Sequence, residues 1–283
     1  MYSQQSDIER IEIELFLEAI YKRTGYDYRN YSRETINRRI KKLVSELDVN
    51  NISQLTEIFL HDDGVVFSKI IKDFSISVTE MFRDPDFYKA LRTIVLPFLK
   101  TYPFIKIWHA GCATGEEVYS LAILLKEESM YEKTTIYATD LNDTVLEKAK
   151  NGIYPADKMQ QYTQNYQKSG GKESFSNYYH AQYQSAILDD SLKQNITFAN
   201  HNLVTDGVFS EVHLILCRNV LIYFNAELQN RVLELFRDSL TYNGYLCLGM
   251  SENLEFSSVK NTFGRIEKNK RIYQKNPRVR SNA

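Results

Sequence analysis

Lys106 to Leu125 reads KIWHAGCATGEEVYSLAILL, and the next apolar run closes on Tyr137-Ala138-Thr139-Asp140. The order is strand, glycine turn, helix, strand, acidic end. Ile105, Ile107 and Trp108 suit a strand buried in a parallel sheet. Gly111 and Gly115 bracket a turn in which the backbone is expected to come close to a ligand, an approach that glycine alone permits. The following helix repeats Val118, Leu121, Ala122 and Leu125 on one face, so it packs on the sheet. The spacing Gly111-x-x-x-Gly115 departs from the dinucleotide fingerprint. Glu116 and Glu117 at the helix start would also repel a phosphate. The same carboxylates suit a cationic ligand, and Asp140 at a strand end can accept hydrogen bonds from two ribose hydroxyls. The stretch therefore favours S-adenosylmethionine, which carries a sulfonium and an ammonium and no phosphate, over NAD. A structural glycine turn with a solvated acidic cap is the competing reading.

Outward from this unit, strands alternate with helices. Strands are expected at 135–139, 212–217, 244–249 and 271–275, and helices around 144–150 and 226–240. That alternation predicts an α/β fold with a mostly parallel sheet covered on both faces. Upstream, residues 1–75 predict a small helical domain of four helices. Ile8, Ile11, Leu15 and Ala19 share one face, and Ile36, Ile40, Leu43, Val44 and Leu47 another. Ser32 and Ser53 are candidate N-caps. Residues 76–283 form the second domain, its first helix opening at Asp84-Pro85. The alternation breaks in 151–200, a stretch holding six of the twenty tyrosines and the turn Ser169-Gly170-Gly171, with the insertion itself at about 155–198. It predicts an inserted antiparallel β-subdomain that includes Ile196–Phe198.

The chain of 283 residues is 43% hydrophobic with net charge −1, so bulk charge gives no reason to expect nucleic acid. Charge is uneven, however. Between Lys22 and Lys42 eight basic residues face only Asp27 and Glu34, which suggests an acidic partner. Three widely spaced cysteines without C-x-x-C point to reduced thiols and a cytoplasmic protein. No apolar run approaches the ~20 residues of a membrane helix, and no histidine spacing suggests a metal site.

Several short stretches carry candidate chemistry. In Ser77-Val78-Thr79-Glu80-Met81-Phe82-Arg83-Asp84, alternation puts Ser77 and Thr79 on one side, and Arg83 can hold a carboxylate in bidentate fashion. The alternative is an arginine salt-bridged to Asp84 or Asp86. Asn202 and Leu203 follow a strand, where a side-chain amide can pair with an adenine edge or simply form an Asn turn. Arg218, Asn219 and Tyr223 follow a buried strand, at the carboxyl edge where ligands of open α/β sheets bind.

Taken in order, VTEMFRD at 78–84, WHAGCATGEEVYS at 108–120, ATD at 138–140, NGIY at 151–154, HNL at 201–203, CRNVLIYF at 217–224 and LGMSE at 248–252 resemble the CheR family of chemotaxis-receptor glutamate methyltransferases. The resemblance runs from about Tyr31 to Tyr273. It implies a class I S-adenosylmethionine-dependent methyltransferase fold with an N-terminal helical domain. It places the cofactor at Ser77, Thr79, Arg83, Gly111, Glu117, Asp140, Asn202, Leu203, Arg218 and Asn219, and Arg83 and Tyr223 nearest the reacting methyl. Helix 33–47, with Arg38, Arg39 and Lys42, resembles the family's receptor-facing basic helix. The implied products are glutamate methyl esters on the cytoplasmic helical region of a membrane chemoreceptor, and S-adenosylhomocysteine. Val118 stands where many members have proline, Met81 where an aromatic is common, and His109 replaces a frequent serine. The insertion has Gly170-Gly171 but no clear G-x-G of the members that grip a receptor's C-terminal peptide, so the resemblance leaves such a tether open here. Three other functions remain compatible: a glutamate methyltransferase with another target, a non-catalytic cofactor-binding module, and an enzyme acting on nucleic acid, for which the basic stretch lacks an aromatic platform.

Overall fold

A computed structural model of the chain describes residues 2–74, 79–208, 210–267 and 269–276, the side chains of residues 2–6 excepted. The chain divides into two compact units, Met1–Ile76 with Ile222–Arg231, and Ser77–Leu221 with Val232–Ala283.

The first unit holds α1 (Tyr2–Thr24), α2 (Arg33–Glu46), α3 (Ile52–Leu60) and α4 (Val65–Phe74). Its core takes Ile13, Phe16, Leu17 and Ile20 from α1, with the Phe16 ring edge-on to Phe59 at 5.8 Å. The expected stripe on α1 points the other way, Ile8, Ile11 and Leu15 being 59%, 51% and 60% exposed. Apolar residues occupy two faces of this helix, and the face carrying the bulkier Phe16 is the one that is buried. On α2, Ile36, Ile40 and Leu43 are buried as their spacing predicts. Ser32 occupies the N-cap position of α2 without a side-chain capping bond. The cap of α3 is Asn51, whose side chain accepts from the Gln54 N–H at 2.8 Å, rather than Ser53. Residues 222–231 join these helices through a bridge between Tyr31 and Phe224 and a bond from Ser32 N to Tyr223 O of 2.7 Å.

The second unit opens with α5 (Pro85–Ala90), a π-turn (Leu91–Val95) and α6 (Leu96–Leu99). Pro85 sits in the first turn, where its missing N–H costs nothing. There follow β1 (Ile105–Ala110), α7 (Glu116–Glu127), β2 (Thr134–Asp140), α8 (Asp143–Asn151) and β3 (Ile153–Pro155). Next come α9 (Met159–Lys168), β4 (Tyr179–Gln182), β5 (Ser185–Leu188), β6 (Ile196–Asn200) and β7 (Val212–Cys217). The chain continues through α10 (Ala226–Ser239), β8 (Leu240–Leu248), β9 (Phe263–Glu267) and β10 (Ile272–Lys275). The seven-stranded sheet runs β6-β2-β1-β7-β8-β10-β9, parallel from β6 to β8 and antiparallel from β8 through β10 to β9. A mostly parallel sheet is therefore present, closed at one edge by a hairpin that only β10 announced in sequence. Its central strands bury Ile107, Trp108, Leu214, Ile215 and Leu216 completely. The smaller sheet, β3-β5-β4, is antiparallel. It is shorter than expected, because Ile196–Phe198 pairs with β2 as the parallel edge strand of the main sheet.

Candidate active site

Strand order fixes where a site can lie. The chain moves from β1 to β2 and β6 on one side, then returns to β7 on the other. The carboxyl ends of β1 and β7 flank that reversal, which is the ligand crevice of open α/β sheets. The Gly111–Gly115 turn follows one, and Arg218-Asn219 the other. Gly111 has φ +75° and Gly115 φ +89°, both left-handed. A Cβ on Gly111 would stand 2.5 Å from Val220 Cγ2, and one on Gly115 2.8 Å from Ala149 Cβ. The close approach expected of these glycines is thus made with the chain itself. Asp140, at the end of β2, accepts from Ala113 N at 2.9 Å through Oδ2 and from Asn142 N at 3.1 Å through Oδ1. Burial pushes its pKa up.

Arg218 is the buried centre of charge. Its side chain is 1% exposed, donates to Glu117 Oε1 at 2.8 Å and Asp84 Oδ2 at 2.6 Å, and lies 4.1 Å over the Phe87 ring. Burial opposes the guanidinium charge, but Glu117 and Asp84 hold it above the ordinary arginine range. Burial likewise opposes the Glu117 carboxylate, and Arg218 outweighs it and holds the group at about 2. One oxygen of Glu117 is therefore committed to Arg218. Asn219 next to it is left-handed, φ +62°. Its buried Oδ1 has no hydrogen-bond partner among the described residues.

Arg83 and Thr79 line a cavity of about 490 Å³ with Glu80, Asp157, Lys158, Gln161 and Tyr162. The salt bridge weighed for Arg83 is absent among the described residues: Asp84 pairs with Arg218, and Asp86 with Lys89 and Lys270. Ser77 lies outside the described residues. Asn202 forms the Asn turn, its Oδ1 accepting from Val204 N at 3.0 Å, and Leu203 is buried.

In the helical unit, Tyr223 lies with its ring 5.9 Å from the Arg39 guanidinium. Arg39 is 6% exposed and donates to Asp73 O at 2.6 Å, so it faces inward, and burial lowers its pKa. Lys42 pairs with Asp73 at 3.1 Å and Glu46 at 3.4 Å. Arg38 is exposed and makes no ion pair among the described residues.

Two residues of consequence carried no reading of their own in the sequence. Glu252 is 4% exposed and accepts from Asn219 N, Val220 N and Gly249 N at 3.0, 2.8 and 2.5 Å. It ties the end of β8 to the end of β7; its one sequence signal was the LGMSE stretch. Asn165 is 5% exposed and donates from Nδ2 to Met81 O at 3.1 Å. A polar residue at helical spacing from Tyr162 was its only signal.

The donor set fits S-adenosylmethionine. Asn219 offers a buried acceptor without a donor among the described residues, and the half-buried Asp140 carboxylate ends β2 beside the glycine turn. Among known proteins, residues 77–272 match the family described as CheR methyltransferase, SAM binding domain, and residues 11–75 the one described as CheR methyltransferase, all-alpha domain. A Pseudomonas putida protein named putative methyltransferase Cher3 is 51% identical over 265 residues, spanning 94% of this chain and 97% of its own length. The chemotaxis protein methyltransferase of Listeria innocua is 30% identical over 241 residues, 84% of this chain and 88% of its own. Chemotaxis protein methyltransferase 1 of Pseudomonas aeruginosa is 27% identical over 257 residues, 86% and 90%. With both domains matched in order on a class I methyltransferase sheet, the chain belongs to the CheR methyltransferase family, and S-adenosylmethionine is its cofactor.

Proposed function

We propose that this protein acts in the cytoplasm in chemotaxis, methylating glutamate side chains on the cytoplasmic helical region of a chemoreceptor. The observation that carries this reading is Arg83: a guanidinium with no ion pair among the described residues, lining a cavity with Thr79 in a chain of this family. The relatives named above as chemotaxis protein methyltransferases support the target class. When bound, the cofactor would supply a methyl on a sulfonium, whose transfer to a carboxylate oxygen would return the CH3–S electron pair to sulfur and leave S-adenosylhomocysteine.

The residues' work is to hold and orient. A glutamate with pKa near ~4.3 is ionised at neutral pH, so no general base is needed. Asp140, Asn202, Leu203, Asn219 and the Gly111 turn hold the cofactor, with Glu117 and Arg218 as the ion pair that shapes its site. Arg83 and Thr79 orient the reacting groups, where alignment is worth orders of magnitude in rate. Tyr223 contributes its hydroxyl, and Arg38, Arg39 and Lys42 belong to the helix that meets the acceptor. Of these Arg38 and Lys42 are exposed, and Arg38 is the one without an ion pair among the described residues, Lys42 pairing with Glu46 and Asp73. The test is transfer of tritiated methyl from the cofactor to membranes of the source organism. Label released as methanol by mild base identifies a carboxyl ester, whereas base-stable label sinks the reading. Arg83→Ala should lower the rate about a hundredfold, and Tyr223→Phe about tenfold, with binding of S-adenosylhomocysteine retained.

A further inference from the structure

Arg83 sits on a backbone that its own sequence does not favour. Phe82 has φ +53° and Asp84 φ +58°, so two non-glycine residues flanking Arg83 are left-handed. Such conformations persist where the surroundings over-determine them. Three separate elements do so. Phe82 N donates to Ser120 Oγ of α7 at 2.8 Å, and that hydroxyl donates to Glu116 O at 2.7 Å. Arg218 takes Asp84 Oδ2 at 2.6 Å and reaches Arg83 O at 3.4 Å. The third element is α9, within the inserted stretch. Asn165 Nδ2 donates to Met81 O at 3.1 Å, and the Phe82 ring packs edge-on against Tyr166 at 5.2 Å.

Asn165 is a buried carboxamide, and burying an amide costs free energy unless both ends are paired. Both are: its Oδ1 accepts from Gln161 Nε2 at 2.9 Å. Gln161 is itself a wall of the cavity that Arg83 lines. The chain of contacts therefore runs from cavity wall to Gln161, to Asn165, to Met81 O, and so to the backbone two residues before Arg83.

We propose that α9 holds Arg83 in register for methyl transfer and that Asn165 is the positioning residue through which it acts. The inserted subdomain would then serve the reaction directly, whatever its part in acceptor binding. The proposal rests on the role given to Arg83 above, and its test must be readable without that role. Asn165→Asp keeps the shape and the Gln161 contact but turns a carboxylate oxygen toward Met81 O. Expected are unchanged affinity for S-adenosylhomocysteine by calorimetry, kcat lower by tenfold or more, and no further loss when Asn165→Asp is added to Arg83→Ala. Losses that multiply in the double variant, or a fully active Asn165→Asp, would overturn the proposal. If the parent protein methylates nothing, the functional reading fails. The positioning role is then read from the rate at which phenylglyoxal modifies Arg83, mapped by mass spectrometry. That rate should rise at least threefold in Asn165→Asp, and an unchanged rate counts against α9 as the holder of Arg83. Should Asn165→Asp not fold, Gln161→Ala removes the supporting bond together with one cavity wall, so it is read by the phenylglyoxal rate at Arg83. That rate must rise, while Gln161→Glu, which keeps the wall, leaves a smaller rise; an unchanged rate in Gln161→Ala overturns the proposal.

Discussion

Glu116 and Glu117 are neighbours in sequence, both buried, and driven apart by what they meet. Glu117 faces Arg218 and is held at about 2. Glu116 meets the Thr114 hydroxyl at 2.6 Å and no cation among the described residues, and burial pushes it up to about 7. The two therefore contribute to stability with opposite sign. For Glu117 the folded pKa lies below the unfolded value near 4.5, so its stabilisation is present above pH 4.5 and is lost as pH falls toward 2. The shift corresponds to about 3 kcal/mol. For Glu116 the folded pKa lies above the unfolded one, so stability is lost as pH rises from 4.5 to 7, by about the same amount. Glu116→Gln keeps an oxygen for Thr114 and removes the ionisation. Urea denaturation should find it more stable than the parent by roughly 2–3 kcal/mol at pH 8 and by under about 1 kcal/mol at pH 5. Equal stabilities at pH 8 would mean that Glu116 ionises at its ordinary pKa in the fold.

At the scale of elements, the glycine turn and the β7–β8 ends show how the crevice is kept open. Gly111→Ala meets two separate penalties: roughly 1–2 kcal/mol for a left-handed alanine and about 1–3 kcal/mol for the overlap with Val220 Cγ2. In a double-mutant cycle, Val220→Ala should recover the second and leave the first. Across the crevice, Glu252→Ala strips an acceptor from three backbone donors. It should cost roughly 3 kcal/mol in urea and weaken cofactor binding about tenfold by releasing Asn219; unchanged calorimetric affinity would detach Glu252 from the site. The β1–α7–β2 unit was legible in sequence because two periodicities and two glycines agree there. Elsewhere the pattern carried less. A run as short as Ile196–Phe198 does not say whether its neighbour is parallel or antiparallel, so its spacing alone does not separate the edge of the main sheet, where β6 pairs with β2, from the inserted strands. On α9 the buried set Met159, Tyr162, Asn165 and Tyr166 has helical spacing, but only Met159 lacks a hydroxyl or amide, so no apolar stripe shows. The site residues at strand ends were legible because topology dictates that location. The partners that fix them were not, since Asp84 and Arg218 lie 134 residues apart and Asn219 and Glu252 lie 33 apart.

On the scale of the molecule, the basic excess between Lys22 and Lys42 is largely spent inside its own unit. Arg29 pairs with Glu18 and Asp27, each at 2.8 Å, Arg33 with Glu14 at 3.5 Å, Lys41 with Glu9 at 2.8 Å and Lys42 with Asp73 at 3.1 Å. Linear charge counting missed this because, Asp27 apart, the acids come from α1 and α4. What α2 presents to an acidic acceptor is therefore narrower than its sequence implies, and Arg38 is its exposed cation without an ion pair among the described residues. An exposed charge of this kind acts mainly on encounter rate and is screened within about 8 Å at physiological ionic strength. Arg38→Glu should lower kcat/KM for the acceptor about three- to tenfold at 50 mM NaCl and leave the affinity for S-adenosylhomocysteine unchanged. The gap should close by 500 mM NaCl, where the Debye length is about 4 Å. Lys42→Ala, which breaks an internal pair, should affect stability more than encounter. If Arg38→Glu and the parent react at equal rates at 50 mM, the acceptor does not meet this face of α2, and the basic run serves only to hold the helices together.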